Sequence, residues 1–467
     1  MKDVVFRQYD IRGKVGSEFI IDDVYDLTYA IADYFMQRDL QVKVVAVGMD
    51  GRSHSKQIKQ HVCAVLADSG FDVLFIGVCP SPVLYFAMHT MSIDAGLMIT
   101  ASHNPKEYNG IKICFGKEMV WGNEIVKIRE LFKQKKRVNT KKKGIIKEYP
   151  VIPAYIDYLA QQFDFLKNMP LRAIVDCANG VAGTVLPQLV RAMKWQHVHL
   201  LYEEVNGDYP NHEADPTVEH NMQDLKKLLA ETDAQIGLGL DGDCDRMAPM
   251  TKDGFLVPGD QLLGLFAQPI IKQHPGSIVV FDVKASSALI EILKKWGARP
   301  IMSATGHSLI KDTMNKHSAI LGGELSCHFF FHDRYFGYDD GVYAMMRLFE
   351  LILISGKSLK ELLLVIPERY SSPEYRIDCD EQDKQSIVDE VRSYFEQQKK
   401  VKMITIDGVR VVMPYGWALI RASNTQPVLS LRFESDTKQG LQKIKQESIT
   451  VLANYNDKNE LERAFNV

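Results

Sequence analysis

The feature that most constrains the fold is a short apolar, β-branched run that recurs three times and each time ends in a polar loop. The runs and the loops that follow them are 42–47 with 48–52, 173–175 with 176–180, and 278–281 with 282–286. Helix-like stretches such as 55–68, which Gly70 closes, lie between the strand-like runs. This alternation is typical of α/β units with a largely parallel sheet. Because the runs start about 130 and about 105 residues apart, close to one domain length, the pattern predicts an α/β domain that is repeated three times.

The last hundred residues follow a different pattern. A strand-like stretch runs to Ile420, a polar loop follows, and a second strand at 429–433 leads into a helix from about Thr437. Two strands followed by a helix, without further alternation, indicate a smaller α+β domain. The sequence therefore predicts four segments, 1–149, 150–251, 252–367 and 368–467, which together form mixed, mostly parallel sheets and a C-terminal α+β domain.

A run rich in lysine and arginine covers residues 133–143, and Pro150 and Pro153 follow it. Such a run indicates either an anionic-ligand surface or a solvated helix end and linker. Since the run contains no aromatic residue, we interpret it as a linker, and the prolines mark a domain boundary near residue 150.

Composition excludes several classes of protein. The chain has 467 residues, with 56 Lys and Arg against 59 Asp and Glu, so it lacks the basic footprint of a nucleic-acid-binding protein. Its seven cysteines are scattered and form no C-x-x-C pair, which argues against a disulfide framework and favours a reducing compartment. No apolar run is long enough for a membrane span, and no signal peptide is visible. We therefore expect a cytoplasmic protein with several domains.

The most informative motif is Gly-Leu-Asp-Gly-Asp-Cys-Asp-Arg at 239–246. Its three carboxylates, Asp241, Asp243 and Asp245, alternate, so an extended backbone would project them to one side. Carboxylates held that close repel one another unless a cation joins them, and hard oxygen ligands favour Mg²⁺ or Ca²⁺. An EF-hand does not fit, because Arg246 and Lys252 stand where that loop needs Gly and Glu. The motif favours Mg²⁺ shared with a phosphate over an Asp-rich surface turn.

A second motif, Thr-Ala-Ser-His-Asn-Pro at 100–105, follows an apolar segment and places Ser102 on an exposed loop. The chain has no G-x-S-x-G elbow, and we expect the neighbouring Ser102 and His103 side chains not to face each other. A serine hydrolase is therefore not indicated. Taken alone, the hexapeptide is equally compatible with an ordinary turn.

Two further motifs carry polar groups at regular spacing. The stretch 421–427 combines a guanidinium, two hydroxyls, an amide and the N–H groups of a turn, which suits a phosphate cradle as well as a plain hairpin loop. In the stretch 322–328, Glu324, Ser326 and His328 alternate, which favours the recognition of a polyol over a core strand. We interpret Cys327 as a small packed residue rather than a ligand.

Together these motifs closely resemble the bacterial phosphomannomutase/phosphoglucomutase branch of the α-D-phosphohexomutase superfamily. The resemblance extends from Tyr-Asp-Ile-Arg-Gly at 9–13 to the Arg421 loop, in the order of the family. It implies four domains around a central cleft, each of which lends one loop. It also implies Mg²⁺ as the cofactor, glucose 1,6-bisphosphate as an activator, hexose phosphates as small-molecule partners, and a monomer that binds neither nucleic acid nor membrane.

The resemblance also implies a mechanism. Ser102 is the expected phosphoserine, and Mg²⁺ is expected to bind Ser102 together with Asp241, Asp243 and Asp245. Phospho-Ser102 would donate its group to O6 of an α-hexose 1-phosphate and form a 1,6-bisphosphate. This intermediate would turn over in the cleft and return its 1-phosphate to Ser102. Phosphoryl transfer of this kind depends mainly on positioning and on neutralisation of charge.

The remaining roles follow from matches to the motifs of the family. The non-reacting phosphate would be held by Arg421, Ser423, Asn424 and Thr425. The sugar hydroxyls O3 and O4 would be read by Glu324 and Ser326, so both mannose and glucose should be accepted. The cleft would be lined by Tyr9, Arg12, Arg246, Lys284, His307 and His328. Lys112 and His103 are the candidate acid–base groups and Arg12 is a further catalytic candidate; cations around Lys112 would lower its pKa.

The chain departs from the branch at Leu325 and Cys327, where the branch more often has Met and Gly. A bulkier Cys327 would alter the sugar-reading loop, so the resemblance constrains the sugar less than the reaction. Three alternatives stay open: a phosphoglucosamine mutase, a Mg²⁺-dependent sugar phosphatase, and a catalytically silent sugar-phosphate sensor. The Arg421 loop argues against the phosphatase, because hydrolysis needs no second phosphate site.

Overall fold

The computed structural model describes residues 1–38, 41–137, 140–380, 382–398, 401–423 and 428–466. It contains two compact units, and each unit is assembled from two separate stretches of the chain. The first unit comprises Met1–Gly259 and Ser326–Leu362, and the second comprises Asp260–Leu325 and Leu363–Val467.

The elements follow one another in four groups along the chain. The first group is β1 (Ile11–Lys14), α1 (Val24–Met36), β2 (Val44–Met49), α2 (Ser55–Asp68), β3 (Asp72–Val78), α3 (Ser81–Thr90), β4 (Ala95–Ile99), β5 (Tyr108–Phe115), β6 (Glu118–Met119), α4 (Asn123–Gln134) and β7 (Ile146–Glu148). The second is α5 (Ile152–Gln162), β8 (Ala173–Asp176), α6 (Leu186–Ala192), β9 (Val198–Leu201), α7 (Gln223–Glu231), β10 (Ile236–Leu240) and β11 (Met247–Thr251).

The third group is α8 (Gly259–Gln273), β12 (Ile278–Asp282), α9 (Ser287–Lys295), β13 (Arg299–Ser303), α10 (His307–His317), β14 (Leu321–Gly323), β15 (Phe329–Phe331), α11 (Gly341–Ser355) and α12 (Leu359–Leu363). The fourth is β16 (Tyr370–Ser371), β17 (Tyr375–Asp378), α13 (Lys384–Glu396), β18 (Lys402–Ile404), β19 (Val409–Met413), β20 (Gly416–Ala422), β21 (Val428–Ser435), α14 (Lys438–Leu452) and α15 (Lys458–Phe465).

The first unit contains two mixed sheets. In the larger sheet, of order β1-β5-β4-β2-β3-β7, the strands β2, β3, β4 and β7 run parallel, and β5 and β1 close one side antiparallel. The smaller sheet has the order β11-β10-β8-β9, with β11 antiparallel. Parallel strands need crossover connections, and the helices that provide them bury their apolar faces in the core, as Leu27 and Ile31 of α1 do.

The second unit combines a parallel set with an antiparallel sheet. Strands β13, β12 and β14 are parallel, whereas β16 to β21 form a fully antiparallel sheet against which α13 and α14 pack. The predicted α/β repeats and the C-terminal α+β domain are thus confirmed. The predicted helix at 55–68 has the bounds of α2, and the predicted strand at 42–47 is shifted by two residues in β2. The four segment boundaries stay a prediction.

The basic run at 133–143 lies beside acidic side chains of the first unit. Lys136 pairs with Asp33 at 3.3 Å and Lys143 with Asp68 at 2.6 Å. These lysines are largely exposed, in agreement with a solvated helix end, but the run is followed by β7 of the larger sheet and therefore connects elements within the first unit. Within the described ranges, no helix combines the length and the apolar character that crossing a membrane requires.

Candidate active site

The loop that carries Ser102 follows β4 and has a strained backbone. Ser102 adopts a φ of 51°, in the left-handed region that L-residues rarely occupy. The guanidinium of buried Arg52 stabilises this conformation. It donates hydrogen bonds to the carboxylate of Asp50 (3.1 Å) and to four carbonyl oxygens, those of Ser102 (2.8 Å), Asn104 (2.5 Å), Pro105 (2.7 Å) and Tyr108 (3.2 Å). Much of the loop's support therefore comes from one residue that lies 50 positions before Ser102.

Two sequence-based expectations about this loop were wrong. Ser102 was expected to be exposed, but only 5% of its surface is accessible. Ser102 and His103 were expected not to face each other, but the Ser102 Oγ lies 3.1 Å from the His103 Nδ1. The left-handed φ of Ser102 explains the second error, because it removes the alternation that turns neighbouring side chains apart in an extended chain. Ser102 Oγ also donates a hydrogen bond to Asp241 Oδ2 at 3.0 Å.

The three aspartates lie in the loop between β10 and β11, and all are buried. Their ligand atoms lie within 4.8 Å of one another, as expected from the motif. The expected extended backbone is wrong, however, because the loop folds back on itself and Cys244 has a φ of 62°. Gly242 is required by packing, since a Cβ at this position would lie 2.5 Å from the carbonyl oxygen of Ser102.

The donors around the aspartates leave two buried carboxylate oxygens without a hydrogen bond from the described residues, Asp243 Oδ1 and Asp245 Oδ1. Lys112 Nζ donates to Oδ2 of Asp243 at 2.6 Å and to Oδ2 of Asp245 at 2.7 Å. Burial and the neighbouring Asp245 carboxylate raise the pKa of Asp241 well above its usual value. Open buried oxygens and crowded carboxylates are what a hard divalent cation would relieve, so the donor set fits a metal site.

The expectation that cations lower the pKa of Lys112 was wrong. Burial by itself lowers this pKa, but the carboxylates of Asp243 and Asp245 outweigh it and raise the pKa well above its usual value. Lys112 is therefore a charged ammonium. His103 shows the opposite effect, because burial and the guanidinium groups of Arg246 and Arg12 lower its pKa well below its usual value. His103 is the neutral group that is able to accept a proton.

Two arginines approach the serine loop from other elements. Arg246 lies between Asp241 and Asp215, with N–O distances of 3.2 Å to each. Arg12, on β1, donates to Asn104 Oδ1 at 2.7 Å. Tyr9, in the segment before β1, is buried. The first unit therefore supplies several cationic groups around Ser102, the arrangement expected for a phosphorylated residue.

The remaining candidate residues of the first unit lie just before β15. Here the Ser326 Oγ is 3.3 Å from the His328 Nδ1, and the His328 Nε2 is 3.4 Å from Asp245 Oδ1. Cys327 is buried between them with a φ of 68°, in the left-handed region. Its burial agrees with the interpretation of Cys327 as a packed residue.

The second unit holds a separate set of candidates. Lys284, after β12, has its Nζ 3.1 Å from a carboxylate oxygen of Glu374 and 3.9 Å from one of Asp282. Glu324 accepts a hydrogen bond from the backbone N–H of Gly306 at 2.6 Å, directly before His307, which starts α10.

The proposed phosphate cradle of the second unit is described only in part. Arg421 Nε donates to Asp407 Oδ2 at 2.9 Å, and the same oxygen accepts from the N–H of Thr305 at 3.0 Å. The backbone N–H of Ser423 donates to the carbonyl of Val428 at 3.0 Å. Asn424 and Thr425 lie outside the described residues.

Sequence reasoning missed the residues that orient the candidates: Arg52, Asp215, Glu374 and Asp407. Arg52 ends the loop 48–52 that follows a predicted strand, which was a usable signal, because loops at the carboxyl ends of strands often carry function. The other three are single carboxylates with no motif around them, so only the structure reveals their pairing with Arg246, Lys284 and Arg421.

Comparison with known proteins gives a consistent result along the chain. Models of the phosphoglucomutase/phosphomannomutase family match four consecutive stretches: alpha/beta/alpha domain I at residues 3–139, domain II at 153–254, domain III at 258–370, and the C-terminal domain at 374–451.

Individual relatives match over nearly their whole length. A phosphomannomutase/phosphoglucomutase of Pseudomonas syringae pv. tomato is 39% identical, with 95% of this chain and 94% of that protein covered. A phosphoglucomutase of Neisseria gonorrhoeae is 38% identical over 94% of this chain and 95% of its own. The crystal structure of a phosphoglucomutase/phosphomannomutase family protein of Burkholderia thailandensis superimposes with a TM-score of 0.88 at 32% identity, covering 97% of this chain and 98% of that one.

Proposed function

Because this chain belongs to the phosphoglucomutase/phosphomannomutase family, we propose that it interconverts the 1-phosphates and 6-phosphates of α-D-mannose and α-D-glucose. The observation that carries the proposal is the placement of Ser102 Oγ, 3.0 Å from a carboxylate oxygen of the aspartate loop and 3.1 Å from His103. A nucleophilic hydroxyl, a proton acceptor and a candidate cation site thus meet at one atom.

The proposed reaction transfers one phosphoryl group in each direction. In the first step the P–Oγ bond of phospho-Ser102 breaks, a P–O6 bond forms on the hexose 1-phosphate, and the proton of O6 ends on the departing Oγ, which leaves as the Ser102 hydroxyl. In the second step the bisphosphate presents its 1-phosphate: an Oγ–P bond forms, the P–O1 bond breaks, and the proton of Oγ passes by way of His103 to O1, so that the hexose 6-phosphate is released. The distance of 3.1 Å between Ser102 Oγ and His103 Nδ1 supports this role. Lys112 and Arg246 are charged and offset the negative charge on the phosphoryl oxygens.

The donor set supports a Mg²⁺ ion held by Asp241, Asp243, Asp245 and Ser102. When bound, such an ion supplies neutralisation of the charge on the transferring phosphoryl group. Arg12 supports the Ser102 loop through Asn104 and adds positive charge near the reacting group.

The second unit supplies recognition in this proposal. Arg421, Ser423, Asn424 and Thr425 are proposed to hold the non-reacting phosphate, and Glu324 and Ser326 are each proposed to bind the sugar hydroxyls O3 and O4. Because these groups do not read C2, both mannose and glucose fit. Further substrate-binding roles are proposed for Tyr9, Arg246 and His328 in the first unit and for Lys284 and His307 in the second. Glucose 1,6-bisphosphate serves as the activator, because it phosphorylates Ser102. A phosphoglucosamine mutase is not favoured, since relatives at 37–39% identity are phosphomannomutase/phosphoglucomutases and phosphoglucomutases.

The test is a turnover assay with Mg²⁺ and trace glucose 1,6-bisphosphate. Mannose 1-phosphate, glucose 1-phosphate and glucosamine 1-phosphate are run in parallel, and both the 6-phosphate and free phosphate are measured. We expect conversion of the first two sugars, its loss in Ser102→Ala, and its retention in Ser393→Ala, which removes an exposed hydroxyl. Free phosphate without 6-phosphate would mean hydrolysis, and an active Ser102→Ala variant would exclude the phosphoserine.

A further inference from the structure

Ser81, the first residue of α3, contacts the aspartate loop at two points. Its Oγ donates a hydrogen bond to Asp243 Oδ2 at 2.5 Å, and its backbone N–H donates to the carbonyl oxygen of Asp243 at 3.0 Å. Ser81 is completely buried and lies 162 positions before its partner. The backbone and the side chain of one aspartate are thus both held by one serine.

These contacts determine which oxygen of Asp243 stays available. Oδ2 accepts hydrogen bonds from Ser81 and Lys112, whereas the buried Oδ1 accepts none from the described residues. A carboxylate with two donors on one oxygen has a single favourable orientation, so its other oxygen is kept in a defined direction. Hydrogen bonds of this kind, from groups behind the ligands, orient metal-binding carboxylates and strongly affect metal affinity.

The position of Ser81 on its helix adds to this effect. An α-helix leaves its first N–H groups without internal acceptors and carries a partial positive charge at its N-terminus. Here the backbone N–H of Ser81 donates to the carbonyl oxygen of Asp243. This hydrogen bond joins α3 to the aspartate loop within the first unit, directly at a proposed metal ligand.

We propose that Ser81 is a positioning residue that orients Asp243 and thereby sets the affinity of the aspartate loop for Mg²⁺. The inference rests on the metal site of the proposed function but goes beyond it, because Ser81 itself offers no ligand to the cation. Its hydroxyl acts only through Asp243, so the quantity that it changes is the affinity of the site for the cation.

The experiment measures cation binding directly, by calorimetric titration with Mg²⁺ and by electron paramagnetic resonance with Mn²⁺, on the full chain without substrate. We expect Ser81→Ala to weaken binding by 10-fold or more, the range typical of groups behind metal ligands. Ser81→Thr, which keeps the hydroxyl, should weaken binding by less than about 10-fold, below that range. If the alanine variant is too unstable, Ser81→Cys replaces it, and its weaker S–H donor should give an intermediate loss.

Ser287→Ala is the matched control. Ser287 is also the first residue of a helix, and its Oγ donates to a carboxylate at 2.6 Å, but that carboxylate belongs to Glu434 of the second unit. It should leave cation affinity unchanged, whereas Asp243→Asn should abolish binding. Equal affinities of wild type and Ser81→Ala, with Asp243→Asn impaired, would overturn the role of Ser81 alone. No cation binding by the wild type would overturn the metal site as well.

Discussion

Arg52 provides the strongest test of how the serine loop is held. In Arg52→Met a side chain of similar length remains, but three carbonyl groups of the loop, the carbonyl of Tyr108 at the start of β5 and the Asp50 carboxylate lose a charged donor. Breaking a buried ion pair costs about 3–5 kcal/mol. Carbonyls left without a donor add to this loss, but the loop can relax toward water, so the contributions do not sum. We expect the free energy of unfolding to fall by about 3–5 kcal/mol.

Arg52→Lys separates charge from geometry. An ammonium keeps the pair with Asp50 but offers only three donors, so at least two of the five acceptors are lost. We expect a smaller loss of stability, about 1–3 kcal/mol, but at least a tenfold fall in turnover, because the φ of Ser102 is no longer enforced.

The assay combines urea unfolding, from which the midpoint and slope give the free energy, with the rate of hexose 1-phosphate turnover. Arg129→Met is the control, because Arg129 pairs with the exposed Glu130 on the same helix at 3.0 Å, and it should change stability by no more than about 0.5 kcal/mol. An Arg52→Lys variant with the urea midpoint and turnover of the wild type would refute the reasoning.

Three further predictions concern other features of the molecule. Burial raises the pKa of Asp282 to about 7, so its ionisation destabilises the folded chain as the pH rises from about 4 to 7. Asp282→Asn should therefore raise the melting temperature more at pH 8 than at pH 5.5, and an equal rise at both pH values would contradict this argument. Cys327→Gly should be more stable than Cys327→Ala by about 1 kcal/mol in urea unfolding, because only glycine relieves the left-handed φ, and the reverse order would show that this backbone is not strained. Asp407→Asn should raise the KM for hexose phosphates several-fold, because it weakens the hydrogen bond that orients the Arg421 guanidinium. An unchanged KM would show that Arg421 does not bind substrate.

The parts of the molecule that sequence predicted are those whose causes are local. The bounds of α2 follow from apolar spacing and a closing glycine within 16 residues, and the aspartate cluster follows from three carboxylates within five positions. Both depend on the geometry of neighbouring residues, which periodicity describes well.

The errors arise where distant parts of the chain meet. The pKa of Lys112 was misjudged because the carboxylates that raise it lie 131 and 133 positions away. The hydrogen-bond partners of Arg52 and Ser81 could not be predicted for the same reason, since each residue contacts a loop at least 50 positions away. The orientation of Ser102 toward His103 depends on one backbone angle, which no pattern of residue types specifies.

The division of each unit into two stretches also affects the order of events during synthesis. The first unit includes Met1–Gly259 but also Ser326–Leu362, and the N–H of Gly341 donates a hydrogen bond to the carbonyl of Cys244 in the aspartate loop. A ribosome that has finished residue 259 must add 103 more residues, 362 minus 259, before this unit is complete. At roughly 5–20 residues per second this takes about 5–20 seconds. Until residue 341 has been added, the aspartate loop exists on the nascent chain without the N-terminus of α11, and a chain cut at residue 259 never acquires it.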